Sequence, residues 1–83
     1  MRREPEFFDE EELTLVYMAR RLRDAIAVEK IFDERELDYV LETGPYQSGL
    51  LFRTSKVGVY FYVRPGDEDR ARALLLGYGR RLL

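Results

Sequence analysis

The sequence lacks cysteine and histidine entirely. Without cysteine there is no disulfide framework, no thiolate nucleophile and no thiolate metal site. Without histidine the commonest metal ligand and the commonest general base near neutral pH are gone. A basic surplus is also missing: 14 Lys and Arg stand against 16 Asp and Glu, for a net charge of −2. That balance counts against a nucleic-acid partner. No apolar run approaches the roughly 20 residues that span a bilayer. The basic start Met1-Arg2-Arg3 has no apolar stretch behind it, unlike a signal peptide. These absences point to a cytoplasmic protein with neither membrane nor nucleic acid among its partners. The acidic runs Asp9-Glu10-Glu11-Glu12 and Asp67-Glu68-Asp69 lack the alternating oxygen ligands of an EF-hand loop. There is no phosphate-cradling glycine loop and no nucleophile beside a base. The expectation is a non-enzymatic protein without catalytic residues, metal or cofactor.

What remains is 46% hydrophobic and 36% charged, a balance that suits a folded chain, and 83 residues make one domain. An acidic segment, residues 1–12, precedes a single α+β domain at 13–83. Phe7 and Phe8 interrupt the acidic segment. They either tuck onto the domain or serve as a docking motif for a partner. Within the domain, residues 56–64 carry the clearest strand pattern. Val57, Val59, Phe61 and Val63 share one parity, and Gly58, Tyr60 and Tyr62 the other. Bulky apolar residues on both faces predict a central strand. Gly58 marks a bulge or a close backbone approach.

The remaining elements follow in order. Residues 13–19 read as a strand, apolar on both parities like a central one. Residues 20–35 read as a helix with the stripe Leu22, Ala25, Val28 and Phe32, widened by Ile26 and Ile31. Residues 37–43 alternate as a half-buried strand nearer an edge. Residues 44–49 hold two glycines and a proline and read as a loop. Residues 50–53 are open between a short strand and an apolar patch under that loop, with Thr54-Ser55-Lys56 as a tight connection. Pro65-Gly66 breaks the central strand, and Asp67 is placed to cap a helix with Ala71, Leu74, Leu75 and Tyr78 on its buried side. Gly77 and Gly79 weaken the end of that helix.

The order strand, helix, strand, strand, helix predicts a ferredoxin-like β-α-β-β-α unit, an antiparallel sheet with two helices on one face. Asp24-Ala25, Val28-Glu29-Lys30-Ile31-Phe32, Leu37-Asp38-Tyr39-Val40 and the ending from Val63-Arg64-Pro65-Gly66-Asp67 to Leu74-Leu75 carry a further likeness. In these stretches the chain resembles a group of small bacterial proteins of unassigned function, classed with signal-transducing proteins, that have a PII-like ferredoxin fold. The likeness covers roughly residues 13–76 and rests on hydrophobic spacing plus an acidic helix start. It departs where a glycine would end the first helix, since Arg35-Glu36 stands there. The function of these proteins is itself largely unassigned, so the resemblance implies the fold more than any activity, and carries over no catalytic residue.

Two places are candidates for binding. If the helices cover the Val57/Phe61 side, Tyr60 and Tyr62 stand on the open face of the sheet. Exposed sheet aromatics stack bases in RNA-recognition domains, but Val57 follows Lys56 where that motif wants glycine. An apolar face more often meets protein, so a homodimer through this face is the leading expectation. The alternative cover is the N-terminal segment with Phe7 and Phe8. The second place is the loop with Tyr46, Gln47 and Ser48, a candidate for closing over a small ligand. Its composition equally suits a plain turn. Arg20, Arg21 and Arg23 at the start of the first helix are either an anion site or a solvated face answering Asp24 and Glu29. The reading is a small regulatory or protein-interaction module. The alternative is a PII-like sensor that binds a small metabolite at its dimer seam.

Overall fold

The structure, a computed structural model, describes residues 1–9, 11–48 and 54–82. Residues 50–53 and Leu83 lie outside these. The elements run β1 (Thr14–Ala19), α1 (Leu22–Glu34), β2 (Val40–Ser48), β3 (Thr54–Val63) and α2 (Glu68–Leu82), with 3-10 turns at Pro5–Phe8 and Pro65–Asp67. The described strands form one antiparallel sheet in the order β1-β3-β2. The chain is thus α+β, with a three-stranded sheet and two helices.

β3 is central, as its two apolar faces require. β1 is an edge strand, contrary to expectation. Leu15 pairs with Tyr62 and Tyr17 with Phe61, so Val16 is an extra residue where the register shifts. The bulge resets the parity. Val16 and Ala19 therefore both reach the core from one side of the sheet, which is why both parities are apolar.

β2 departs most from its expected span. It begins at Val40 and runs through Gly44 and Pro45 to Ser48, so residues 44–48 of the predicted loop are strand, and Gly49 lies outside the described residues. Pro45 pairs opposite Val57. A proline is tolerated there because β2 is an edge strand, and the missing N–H costs no ladder bond with β3. Thr54, Ser55 and Lys56 pair with Ser48, Gln47 and Tyr46, extending β3 rather than forming a connection.

α1 buries Ala25, Val28 and Phe32. Leu22 and Ile26 are exposed, 73% and 56%. At about 100° per residue they project to one side of the Ala25–Val28–Phe32 line. No glycine ends α1. Glu36 takes the left-handed conformation instead, with φ 54°. Its N–H donates to the Asp33 carbonyl at 3.1 Å, and that of Leu37 to Phe32 at 2.9 Å. These are the two bonds of a Schellman motif, and the buried pair Phe32 and Leu37 supplies its apolar contact. Leu37 is therefore a cap residue in the core rather than the start of β2.

α2 buries Ala71 and packs Leu74, Leu75 and Tyr78 against the same core as α1, together with Phe61 and Val63. It continues through Gly77 and Gly79 to Leu82. The Phe32, Tyr39 and Phe61 rings meet at centroid distances of 5.4, 5.8 and 5.9 Å in the middle of this core. The buried Tyr39 hydroxyl faces Glu29 Oε1 at 3.1 Å and Asp33 Oδ1 at 3.2 Å. Burial, then the hydrogen bond and charge of Glu29 and the charge of Asp33, push its phenol well above the ordinary value.

The N-terminal segment is docked. Arg2 forms a parallel bridge with Tyr39, Arg3 N–H donates to the Tyr39 carbonyl at 2.7 Å, and Tyr39 N–H to that of Met1 at 3.1 Å. Arg3 Nε pairs with Asp38 at 3.0 Å and Arg2 with Glu29 at 3.7 Å.

Candidate functional site

With both helices on the Phe61 side, the other parity of the sheet is left open. It presents Glu42, Gly44 and Tyr46 from β2, Lys56, Gly58, Tyr60 and Tyr62 from β3, and Leu15 and Met18 from β1. Gly44 and Gly58 are direct cross-strand partners. A Cβ on Gly58 would stand 2.7 Å from Met18 Sδ and 3.1 Å from Tyr46 Cδ1, and one on Gly44 would stand 3.3 Å from Tyr60 Cε2. Glycine is required here because the neighbouring side chains lie down over it. Tyr60 is fixed further by its hydroxyl, which donates to the Pro45 carbonyl at 2.9 Å. The Arg20 guanidinium lies 5.5 Å from the Tyr46 ring centroid. The result is a low aromatic surface, half-buried at Met18, Tyr46, Tyr60 and Tyr62 and exposed at Leu15. Glu42 and Lys56 stand exposed on it.

One end of this face is covered. Arg64 follows Tyr62 in the same parity, and its guanidinium lies 5.4 Å from the Phe7 ring centroid and 4.8 Å from that of Phe8. Arg64 Nε also meets Glu11 Oε2 at 3.4 Å. Phe8 is 3% exposed and Val40, the partner of Tyr62, is 5% exposed, yet neither belongs to the core under the helices. The Phe8 end of the turn Pro5–Phe8 therefore lies at the Val40–Tyr62 end, while Phe7 stays 47% exposed. Burial, then the Glu42 carboxylate and Tyr60, raise the Tyr62 phenol above its ordinary value.

One residue of the second place singled out in the sequence thus joins the first. Tyr46, expected in a loop, lies in β2 on the same face as Tyr60 and Tyr62, brought there by the Tyr46–Lys56 register. Gln47 and Ser48 belong to the end of β2 by their backbones, and their side chains lie outside the described part. Sequence reasoning missed Met18, Glu42 and Arg20 as members. The signal for the first two was parity. Arg20 had none, because its stacking on Tyr46 depends on where β1 ends beside the β2–β3 hairpin.

A second feature lies on the helix side. A cavity of about 410 Å³ opens between Arg2 and Pro5 of the N-terminal segment, Leu22 and Ala25 of α1, and Leu41 and Thr43 of β2. Its arginines are engaged, Arg2 by Glu29 and Arg3 by Asp38. Among the described residues no group of acidic side chains is placed to hold a metal ion, and no helix is long and apolar enough to cross a membrane. Compared with protein-family models, with curated proteins and with solved structures, the chain gave no match.

Proposed function

We propose that this chain is a small, cytoplasmic, non-enzymatic interaction module of ferredoxin-like type that works by pairing the open face of its sheet with a second copy. The observation that carries the reading is the aromatic surface of Tyr46 and Tyr60 laid over the Gly44–Gly58 pair, with Tyr62 beyond Tyr60 on the same face and, among the described residues, no helix on it. Aromatic side chains are the richest source of interface energy, and their packing over glycine leaves a surface flat enough to meet another sheet. The order β1-β3-β2 with both helices on one side supports the ferredoxin-like assignment. The test is solution mass by light scattering across a dilution series. The wild type is expected to be a dimer, and Tyr60→Glu/Tyr62→Glu a folded monomer. A monomeric wild type overturns the reading.

The cavity beside α1 favours a second reading, a sensor for a small metabolite. That reading predicts thermal stabilisation that grows with the logarithm of ligand concentration above the dissociation constant. No shift across a metabolite panel would remove it.

A further inference from the structure

We infer that the two copies meet about a two-fold axis crossing the Gly44–Gly58 pair, perpendicular to the strands, so that Glu42 of each copy faces Lys56 of the other. This rests on the reading of the open face as a self-interface, and it specifies how the face is used.

The two charged residues on the free part of the face locate the axis. Phe8 covers the Val40–Tyr62 end. Beyond it the ladder runs from the Glu42–Tyr60 pair to the Ser48–Thr54 pair, and Gly44–Gly58 lies midway between Glu42 and Lys56 on this face. Charge then selects the axis direction. Glu42 and Lys56 are both exposed, and neither takes part in an ion pair among the described residues. They lie two residues to either side of the glycine pair, about 7 Å along the strands in each direction. An axis across the strands exchanges the two ends. Glu42 of one copy then lies over the Tyr46–Lys56 pair of the second copy, within reach of that lysine one strand over, at about 5 Å lateral spacing. Lys56 in turn lies over Tyr60 of the second copy, where an ammonium on a ring face is attracted. An axis along β3 would instead set Lys56 against Lys56, and like charges facing each other oppose association. The same contact occurs twice in the dimer, as a self-complementary interface requires.

The experiment exchanges these charges and reads the dimer by sedimentation and native mass spectrometry at low salt. Glu42→Lys alone sets lysine against lysine, and Lys56→Glu alone sets glutamate against glutamate. Each is expected to raise the dimer dissociation constant about tenfold or more, an effect that fades as salt is added. An equimolar mixture of the two variants has both contacts restored and is expected to form heterodimers in preference to either homodimer. The double variant Glu42→Lys/Lys56→Glu is expected to dimerise like the wild type. Both positions are exposed, so circular dichroism is expected to show every variant folded. Single variants that dimerise as tightly as the wild type, or a mixture without preferential pairing, overturn this register. If Tyr60→Glu/Tyr62→Glu still dissociates the dimer in that case, the face stands and only the register falls. If the wild type is a monomer, or the tyrosine variant is a folded dimer, the face itself falls and the register with it.

Discussion

Glu36 holds a left-handed backbone, φ 54°, at the helix-end position where glycine is most at ease. The Schellman bonds of Glu36 and Leu37 and the burial of Phe32 and Leu37 enforce that conformation. Glu36→Gly keeps both bonds and removes the Cβ clash. It is expected to stabilise the fold by about 1 kcal/mol, seen as a rise in Tm of about 4–8 °C for a domain of this size. Gly58 presents the opposite case. Gly58→Ala puts a methyl 2.7 Å from Met18 Sδ, and overpacking of this kind costs about 1–3 kcal/mol. Urea denaturation is expected to show that loss, and Gly58→Ala/Met18→Ala is expected to recover part of it by freeing the space. Gly58 was legible as a place of close approach. That Met18 and Tyr46 make the approach was not, because the contact depends on the β1–β3 and β2–β3 registers together.

At the scale of elements, the N-terminal turn is a separable piece. It is held by the Tyr39 bridge, by the stacking of Arg64 on Phe7 and Phe8, and by the buried Phe8 ring. Phe8→Ala is expected to undock it locally, because little else in the turn is buried. Hydrogen exchange should then quicken at the Arg3 amide, which bonds to Tyr39. Global stability should fall by less than the roughly 3–5 kcal/mol typical of a core phenylalanine. Protection of the Arg3 amide unchanged from the wild type would show that Phe8 does not hold the turn. The hydrophobic periods marked the strands and helices, with three instructive exceptions. β2 runs through Gly44 and Pro45 because an edge strand can spare a donor. Both parities of β1 are apolar because of the bulge at Val16. The stripe of α1 is narrower than its apolar residues, since Leu22 and Ile26 lie beyond what the sheet covers.

Across the whole molecule, Tyr17, Tyr39, Tyr62 and Tyr78 all have phenols raised above the ordinary value, each by burial first and then by neighbouring carboxylates or hydrogen bonds to them, Asp24 in the case of Tyr17 and Tyr78. Folded pKa values above the unfolded value of about 10 mean that the folded chain holds these protons more tightly. The associated stability is complete below that pH and is lost as the pH rises from there through the folded values. Thermal melts should therefore be level from pH 7 to about 9 and fall steadily above 10. Tyr39→Phe, which removes the most strongly raised phenol, is expected to flatten that fall, and an unchanged slope would count against the assignment. The sequence by itself determined the α+β class, the central place of β3, the buried side of α2 and the aromatic parity of Tyr60 and Tyr62. Each of these is written in a local period of two or of three to four residues. Only the tertiary structure decided that Tyr46 joins Tyr60, that Met18 and Arg20 close around it, and that Phe8 covers one end of the face. Those facts depend on strand register and on the path of a terminal segment, which arise between elements distant in sequence and leave no local period to read.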